Sequence, residues 1–534
     1  MSAQNLPMPR RPVNGTHFAK LCRQNIYNCI QIICNLFVAR FSPEARMPEK
    51  SVPMIPIVYG STILPEGGDG LGQSFDPATG KVIAEFARAG ERDVDLAVRA
   101  ARRAFDQGPW SRMRPFERGR ILQRIGELIL ERREDIARKE CVDSGKPLRD
   151  AYWEVDCSAR FFEFYGGASD KLQGRSIPLG PGWTDWTVKE PVGVSLHIIP
   201  WNYPFQLIAR GVAPALASGC AVIIKPSAET PVTAYEFMKI CQDAGLPEGQ
   251  VNLVNGRGSV AGEMLARHPG VDQITFTGSV ATGERVQIAA ASHSVPCNME
   301  LGGKSPQILL ADADLDRALP TILGGAFTHC GQVCNAGTRL LVERRIHDAV
   351  VERLHEAIGA MRLGAGIDDP DLGPLISLAH KHDVARFYDI AESEGALLLG
   401  AETPSAPELA NGAFVRPALV VGADNTARIA REEIFGPVLT VIPFDTADEA
   451  VRMANDSPFG LVAGVHTRDI DTALSMAERL RVGQVWVNAF SVGLDVEFPF
   501  GGYKQSGFGR EKGLEALAAY QQIKNVCIRH AVRD

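Results

Sequence analysis

Three features are missing from this sequence of 534 residues, and each absence narrows what the protein can be. None of its eleven cysteines forms a C-x-x-C pair, so neither a disulfide framework nor a zinc site is indicated. We therefore expect a reducing, cytoplasmic location and no metal. The formal net charge is −7 and not positive, which gives no reason to expect nucleic acid as a partner. No repeat or low-complexity tract is present, and the composition is that of an ordinary globular protein.

The N-terminal segment also lacks acidic residues, since none occurs among the first 43 positions. It carries five basic residues and an apolar stretch, 26–41, which polar residues interrupt, so that it cannot span a bilayer. This composition is typical of a transit peptide or a basic amphipathic anchor. The alternative is that translation starts at Met47, and both interpretations stay open. We predict that residues 1–50 form a disordered basic extension.

Two hydrophobic patterns divide the rest of the chain. From about residue 85 to 170, apolar residues recur at spacings of three and four, which predicts helices. Short β-rich runs then alternate with helical segments over 195–300 and again over 305–489, which predicts βαβ units. A separate strand is predicted over 183–194. Because the chain is too long for one core, we expect an α/β protein of two or three domains.

In the second alternation the pattern predicts individual elements. The predicted helices cover 316–326, 347–361, 446–455 and 470–480. The predicted strands cover 340–342, 438–442 and 485–487.

Polar residues stand at the ends of three β-rich runs: Asn202, Lys225 and Gly278. In a doubly wound parallel sheet the carboxyl ends of the strands meet at one edge, and ligands bind in the crevice there. Gly278 and Gly283 flank the start of a helical segment, whose free N–H groups favour a pyrophosphate. The spacing is Gly-x4-Gly and not Gly-x-Gly-x-x-Gly, so a plain turn also explains these glycines.

Cys334 lies in a stretch of small residues, Gly331-Gln332-Val333-Cys334-Asn335-Ala336-Gly337, and Glu300 precedes a glycine pair upstream. A thiolate forms covalent intermediates with carbonyl carbons when a base or a positive dipole favours its ionised form. The two residues therefore indicate acyl-transfer or aldehyde chemistry. The alternative for Cys334 is a small buried hydrophobic residue.

Six longer motifs occur together and in a recognisable order. They are Pro200-Trp201-Asn202-Tyr203-Pro204, Phe276-Thr277-Gly278-Ser279, Glu300-Leu301-Gly302-Gly303-Lys304-Ser305-Pro306, Gly331-Gln332-Val333-Cys334, Glu432-Glu433-Ile434-Phe435-Gly436-Pro437 and Pro499-Phe500-Gly501-Gly502-Tyr503-Lys504-Gln505-Ser506-Gly507. On these motifs the chain, from about residue 70 onward, resembles the aldehyde dehydrogenase superfamily. The resemblance implies NAD(P)-dependent oxidation of an aldehyde to a carboxylic acid through a thiohemiacetal and a thioester.

The resemblance also implies residue roles. Cys334 is the nucleophile, Asn202 and the Cys334 N–H stabilise the oxyanion, and Glu300 is the general base that activates water. The implied coenzyme-binding residues are Pro200, Trp201, Lys225, Ser227, Gly278, Ser279, Gly283, Leu301, Glu433 and Phe435.

A domain plan follows from the same resemblance. A Rossmann-like coenzyme-binding domain is expected over 51–172 and 192–302, and an α/β catalytic domain over 303–515. The segments 173–191 and 516–534 are expected to form a small oligomerisation sheet. A homodimer or a homotetramer is therefore expected.

Two residues depart from common family patterns. Ala228 stands where many NAD-preferring members carry a glutamate, so NADP remains possible although we expect NAD. Arg210 stands where succinate-semialdehyde dehydrogenases bind the substrate carboxylate, which an arginine does well. Thr328 replaces the second arginine of that subfamily, and the serine expected shortly before Pro499 is missing. The alternative role for Arg210 is an ion pair with another segment.

The remaining expectations concern substrate and rival functions. The predicted substrate-lining residues are Arg210, Tyr203, Leu207 and Phe500, and the sequence does not name the aldehyde. One rival is a CoA-acylating semialdehyde dehydrogenase, which the presence of Glu300 disfavours. The other is a structural relative without turnover, which intact Cys334, Asn202 and Glu300 disfavour.

Overall fold

The computed structural model of the protein describes residues 52–402, 404–491 and 495–532. Two large, mainly parallel sheets dominate this part of the chain, and three smaller sheets accompany them. The predicted α/β class is therefore confirmed. The predicted N-terminal extension, 1–50, lies outside the described residues. None of the described helices is both long and apolar enough to cross a membrane.

The first sheet has eight strands. In spatial order they are Gly507–Phe508, Cys297–Glu300, Gln273–Thr277, Val194–Ile198, Ala221–Lys225, Val251–Leu253, Ile57–Tyr59 and Thr62–Leu64. The five between Cys297–Glu300 and Val251–Leu253 are parallel. Numbered along the chain, these five lie in the order 3-2-1-4-5, which is the order of a dinucleotide-binding sheet. Its switch point lies between the strands Val194–Ile198 and Gln273–Thr277.

The second sheet has seven strands. In spatial order they are Leu397–Gly400, Ala418–Val421, Val438–Phe444, Arg339–Glu343, Pro306–Leu309, Val462–His466 and Gln484–Val487. All pairings are parallel except that of Leu397–Gly400 with Ala418–Val421. Each of the three strands predicted in this region lies within one of these elements, so those predictions are confirmed.

Helices flank both sheets. Their bounds are Glu91–Gln107, Pro115–Glu131, Arg133–Ser144, Leu148–Ala168, Pro204–Ser218, Val232–Asp243, Glu263–Ala266, Val280–Ala291, Leu315–Phe327, His347–Gly359, Leu378–Ser393, Arg428–Arg431, Ala447–Asn455 and Ile470–Arg479. The predicted helices agree with these to within two residues at each end. In Glu91–Gln107 the buried Val94, Ala97, Val98 and Ala101 form the apolar stripe that the sequence spacing indicates.

The small sheet near the C-terminus pairs Trp183–Pro191 with Gln521–Arg529 and with Ser176–Ile177, both antiparallel. The single strand predicted over 183–194 is wrong in one respect, because Val194 already belongs to the first large sheet. The chain turns at Gly193, whose φ is 136°, and a Cβ there would lie 1.8 Å from Asp272. One further sheet contains the strands Met54–Ile55, Val82–Ala87 and Leu71–Phe75. Another pairs Phe459–Gly460 with Tyr503–Lys504.

The strand Gly507–Phe508 crosses the predicted domain plan. It falls within the range 303–515 that was expected to be catalytic, but it pairs with Cys297–Glu300 in the first sheet. The consequence is that the segment after Phe500 reaches Glu300 from the side of the second sheet. The two large sheets therefore meet at the end of the strand that carries Glu300.

Candidate active site

A cavity of about 620 Å³ lies beside the carboxyl end of the first sheet. Cys334 and Asn202 both line it, and so do all four residues predicted to line the substrate site: Tyr203, Leu207, Arg210 and Phe500. Further lining comes from Trp153, Thr328 and Phe490. The structure thus brings residues from distant parts of the sequence to one cavity around the Cys334 thiol.

The Cys334 loop is held by hydrogen bonds and an unusual backbone. His329, Cys330 and Gly331 are all in the left-handed region, with φ of 49°, 58° and 73°. The buried Gln332 then fixes the loop, because its side chain donates to the His329 carbonyl at 3.1 Å and accepts from the Ile376 N–H at 2.9 Å. The left-handed conformation of His329 and Cys330 costs free energy, which these contacts offset, whereas Gly331 adopts it freely.

Asn202 connects the first sheet to this loop. It follows the strand Val194–Ile198, and its side-chain amide donates to the Gln332 carbonyl at 3.0 Å. Asn202 is buried but faces the cavity, so the same amide group lies next to the thiol region. A fixed N–H donor at such a position can stabilise negative charge that develops on a substrate oxygen.

The Cys334 thiol is partly buried and lies against Leu461, Phe490 and Phe500. Burial raises the pKa of the thiol to about 12, although the nearby Arg210 cation acts in the opposite direction. The thiol is therefore protonated at neutral pH in this arrangement. Any change that adds positive charge near it increases the thiolate fraction.

Glu300 is the last residue of its strand and is only 2% exposed. Neither carboxyl oxygen accepts a hydrogen bond from any described residue. Burial and the neighbouring Glu511 carboxylate raise the pKa of Glu300 well above its usual range, and Arg210 opposes this. A buried carboxyl group whose pKa is shifted upward by its surroundings is a good candidate for acid–base chemistry.

Arg210 and Glu511 form a buried ion pair next to Glu300. Arg210 lies on the wholly buried helix Pro204–Ser218, and its guanidinium contacts the Glu511 carboxylate. The same guanidinium lies 3.8 Å from the Glu300 carboxylate and 4.6 Å from the centre of the Phe500 ring. The intersegment ion pair that was the alternative role for Arg210 is therefore present.

Most predicted coenzyme residues lie at the carboxyl edge of the first sheet. Pro200 and Trp201 follow the strand Val194–Ile198, and Lys225 ends the strand Ala221–Lys225. Gly278 and Ser279 follow Gln273–Thr277, and Leu301 follows Cys297–Glu300. Ser279 caps the helix Val280–Ala291, which contains Gly283 in its first turn. Ser227 contacts Glu229. Burial lowers the pKa of Lys225 to about 8, and its ammonium donates to the Pro226 carbonyl at 2.9 Å.

Glu433 and Phe435 come from the second sheet's side of the site. Glu433 accepts a hydrogen bond from the Gly303 N–H at 3.0 Å, and burial raises its pKa to about 7. A Cβ at Gly302 would lie 1.9 Å from this carboxylate, so only glycine permits the approach. Phe435, with φ of 57°, packs edge-on against Trp201 at 5.2 Å. These contacts join the two sheets across the site.

The sequence model described as "Aldehyde dehydrogenase family" matches residues 66–526, which is most of the chain. The chain belongs to the aldehyde dehydrogenase family.

Curated relatives cover nearly the same region. An aldehyde dehydrogenase 1 of Tanacetum cinerariifolium is 42% identical, covering 85% of this chain and 91% of the relative. A betaine aldehyde dehydrogenase of Bacillus subtilis is 41% identical over 85% of this chain and 93% of the relative. The human 4-trimethylaminobutyraldehyde dehydrogenase is 40% identical over 88% of this chain and 95% of the relative.

Solved structures agree with the family assignment. A Burkholderia cenocepacia protein described as a putative aldehyde dehydrogenase superposes with a TM-score of 0.87 at 43% identity, over 89% of this chain and 100% of that one. A betaine aldehyde dehydrogenase of Staphylococcus aureus, solved in complex with NAD+, gives 0.88 at 37% identity, over 90% of this chain and 96% of that one. The fold of this aldehyde dehydrogenase is thus shared along almost its entire length.

The predicted coenzyme residues of this aldehyde dehydrogenase fit a dinucleotide. The capped N-terminus of Val280–Ala291 offers free N–H groups at the switch point, as a pyrophosphate requires. Lys225 is the last residue of the strand Ala221–Lys225, and its side chain lies beside the turn that includes Gly262. Glu433 supplies a partly buried carboxylate that is bonded to the Gly303 N–H. A dinucleotide makes contacts through its hydroxyl groups, its phosphates and its rings. The protein therefore offers a matching group for each kind of contact.

Sequence reasoning missed the charged residues Glu511 and Lys512. They belong to the run Arg510-Glu511-Lys512, which directly follows the last recognised motif and is typical of a solvated turn. Sequence reasoning also missed Glu154, whose carboxylate accepts the Gln206 N–H at 3.0 Å at the start of the helix that carries Arg210. The buried Lys146 contacts the same carboxylate. No local signal marks Glu511, because its partner Arg210 lies far away in the sequence.

Proposed function

We propose that this aldehyde dehydrogenase oxidises an aldehyde to the carboxylic acid through a thioester on Cys334. The observation that carries the proposal is the grouping of one thiol, one fixed amide donor and one buried carboxyl group that accepts no hydrogen bond within the described part of the chain and acts electrostatically on the thiol: Cys334, Asn202 and Glu300. The grouping supplies a nucleophile, an oxyanion donor and a base, which are the three elements that the reaction needs. NAD(P)+, when bound, supplies the hydride acceptor.

The three residues act one after another during the reaction. The Cys334 thiol loses its proton to solvent, its sulfur attacks the aldehyde carbon, and the resulting oxyanion accepts a hydrogen bond from the Asn202 side-chain amide. Loss of hydride from that carbon leaves a thioester on Cys334. The ionised Glu300 then removes a proton from water, which attacks the thioester and releases the acid with restoration of the thiol.

The coenzyme side supports NAD as the first choice and NADP as a possible second. Lys225, Ser227 and Ser279 offer donors for ribose and phosphate oxygens, and Glu433 offers an acceptor for ribose hydroxyls. Ala228 itself places no carboxylate against a 2′-phosphate, which keeps NADP open, although the Glu229 carboxylate lies beside Ser227.

We also propose a homodimer or a homotetramer that assembles through the small sheet. Its strands Trp183–Pro191 and Gln521–Arg529 expose large apolar side chains, including Trp183, Ile523 and Ile528. Exposed apolar groups on a sheet edge are typical of a contact surface.

The direct test is NADH formation with the purified protein and a panel of aliphatic, aromatic and carboxylated aldehydes. Cys334→Ala is expected to lower turnover by about a hundredfold or more, because it removes the only group that bonds to the substrate. Coenzyme binding, followed by protein fluorescence, should persist in this variant. The matched control is Cys527→Ala, on an exposed strand, which should keep wild-type turnover. Residual activity well above a hundredth of wild type in Cys334→Ala would exclude the thioester mechanism.

A further inference from the structure

One charged side chain in the wall of the cavity has no role in the chemistry above. Lys512 lines the same cavity as Cys334 and is 8% exposed. Its backbone is left-handed, with φ of 58°. Its ammonium lies 5.5 Å from the centre of the Phe500 ring and 5.7 Å from that of Phe498. Within the described residues it makes neither a hydrogen bond nor an ion pair.

The other charged residues in the wall already have counter-ions. Arg149 bonds to Asp369 at 3.1 Å and lies 4.0 Å from Asp150, and Arg210 contacts Glu511. Burial lowers the pKa of Lys512, although the Asp495 carboxylate nearby acts in the opposite direction. A buried cation without a partner is unfavourable, and an anion delivered to the cavity would relieve that cost.

We propose that Lys512 is the counter-ion for a substrate that carries a carboxylate at the end remote from its aldehyde group. The inference rests on the proposed aldehyde oxidation at Cys334 and adds the substrate class. The apolar and aromatic wall formed by Trp153, Tyr203 and Phe490 fits an aliphatic or aromatic body between the two ends. The aldehyde end reaches the thiol while the carboxylate reaches the ammonium.

The same geometry predicts how the cavity treats a cationic aldehyde. The names of two relatives of this protein refer to betaine aldehyde and to 4-trimethylaminobutyraldehyde, whose far ends are cations. A quaternary ammonium in this cavity would face the Lys512 ammonium, and like charges repel each other strongly at low dielectric. A cationic aldehyde should therefore be a poorer substrate than its neutral analogue.

The test uses matched substrate pairs and compares kcat/KM for each member. The pairs are para-carboxybenzaldehyde with its methyl ester, and glutaric semialdehyde with its methyl ester. The wild-type enzyme should prefer the carboxylate in at least one pair by about tenfold, because a charge-assisted hydrogen bond is partly shielded from water here. Lys512→Met should lower the carboxylate-to-ester ratio by about tenfold, whereas Lys512→Arg should keep it. The control Lys239→Met, at the surface, should leave the ratio unchanged.

Two results would overturn the inference: a wild-type preference for the ester in both pairs, or a ratio that Lys512→Met does not change. If the Met variant fails to fold, calorimetric binding of terephthalate and glutarate to the wild-type enzyme decides instead. Affinity no higher than for the corresponding monomethyl esters also contradicts the inference. If no aldehyde yields NADH, the proposed function fails, while this binding comparison still reports on Lys512.

Discussion

The two sides of the Cys334 thiol are constructed in different ways. On the coenzyme side, the groups come from strand ends, a capped helix and a glycine that admits the Glu433 carboxylate. On the aldehyde side, the groups are buried ionisable side chains, and the contacts of Arg210 with Glu511 and Glu300 join segments far apart in the sequence. The first side depends on backbone geometry, and the second on a balance of charges.

The difference predicts how each side responds to mutation. Backbone N–H groups at a helix start keep their positions when one side chain changes, so coenzyme binding should tolerate single substitutions. Buried charges influence each other over several ångströms, so one substitution on the aldehyde side should alter the pKa of its neighbours as well. The following experiments test that contrast.

The largest effect in this comparison is expected for Glu300→Gln. Acylation of Cys334 can still proceed, but the thioester then waits for unassisted water, so a stoichiometric burst of NADH should precede a steady state slower by about a hundredfold. Rapid-mixing absorbance measurements of NADH give both phases. A missing burst, or unchanged turnover, would contradict the role of Glu300 in deacylation.

The pH dependence provides a second readout of the same residue. Because the pKa of Glu300 is raised well above its usual range, the ionised fraction of its carboxyl group keeps increasing as the pH rises beyond the range where an ordinary glutamate titrates. Steady-state turnover of the wild-type enzyme should therefore increase from neutral to alkaline pH, and the slow phase of Glu300→Gln should lose this dependence. Glu432→Gln, which removes a carboxylate that pairs with Arg428 at the surface, is the matched control.

The comparison also explains what the sequence could predict. Strands and helices around the coenzyme side follow from hydrophobic runs and from residues that stand directly after them, as with Asn202 and Lys225. The observed strand order, 3-2-1-4-5, is one that chains with alternating strands and helices generally adopt in doubly wound sheets. Motifs located Cys334 and Glu300, because each motif is contiguous in the sequence.

The aldehyde side could not be predicted in the same way. From the sequence, Arg210 is either a substrate ligand or one half of an ion pair, but nothing near it in the chain identifies Glu511 as the partner. Glu511 and Lys512 are neighbours in a charged turn, yet one pairs with Arg210 and the other faces the cavity alone. Tertiary packing determines which of two adjacent charges has a partner.

An intermediate effect is expected for Arg210→Leu. Arg210 opposes the rise in the pKa of both Cys334 and Glu300, so its loss should raise both pKa values further. Turnover at neutral pH should fall about tenfold for neutral and anionic aldehydes alike, and the pH profile should move to more alkaline values. Arg210→Lys, which keeps a positive charge, should recover part of the loss. If only the anionic aldehyde loses efficiency, Arg210 binds the substrate carboxylate, as its resemblance to succinate-semialdehyde dehydrogenases predicts.

The smallest effect is expected on the coenzyme side, for Ala228→Glu. Ala228 is partly buried beside Ile55, Ala84 and Phe86, and it follows the strand that ends at Lys225. The wild-type enzyme should use NADP with an efficiency within roughly a hundredfold of NAD, since no carboxylate there opposes a 2′-phosphate. A glutamate at this position should increase the NAD-to-NADP ratio of kcat/KM by several-fold to about tenfold, because like charges repel where water is partly excluded. Ala228→Gln has the same size without the charge, so an equal change in both variants would assign the effect to bulk and place coenzyme selection elsewhere.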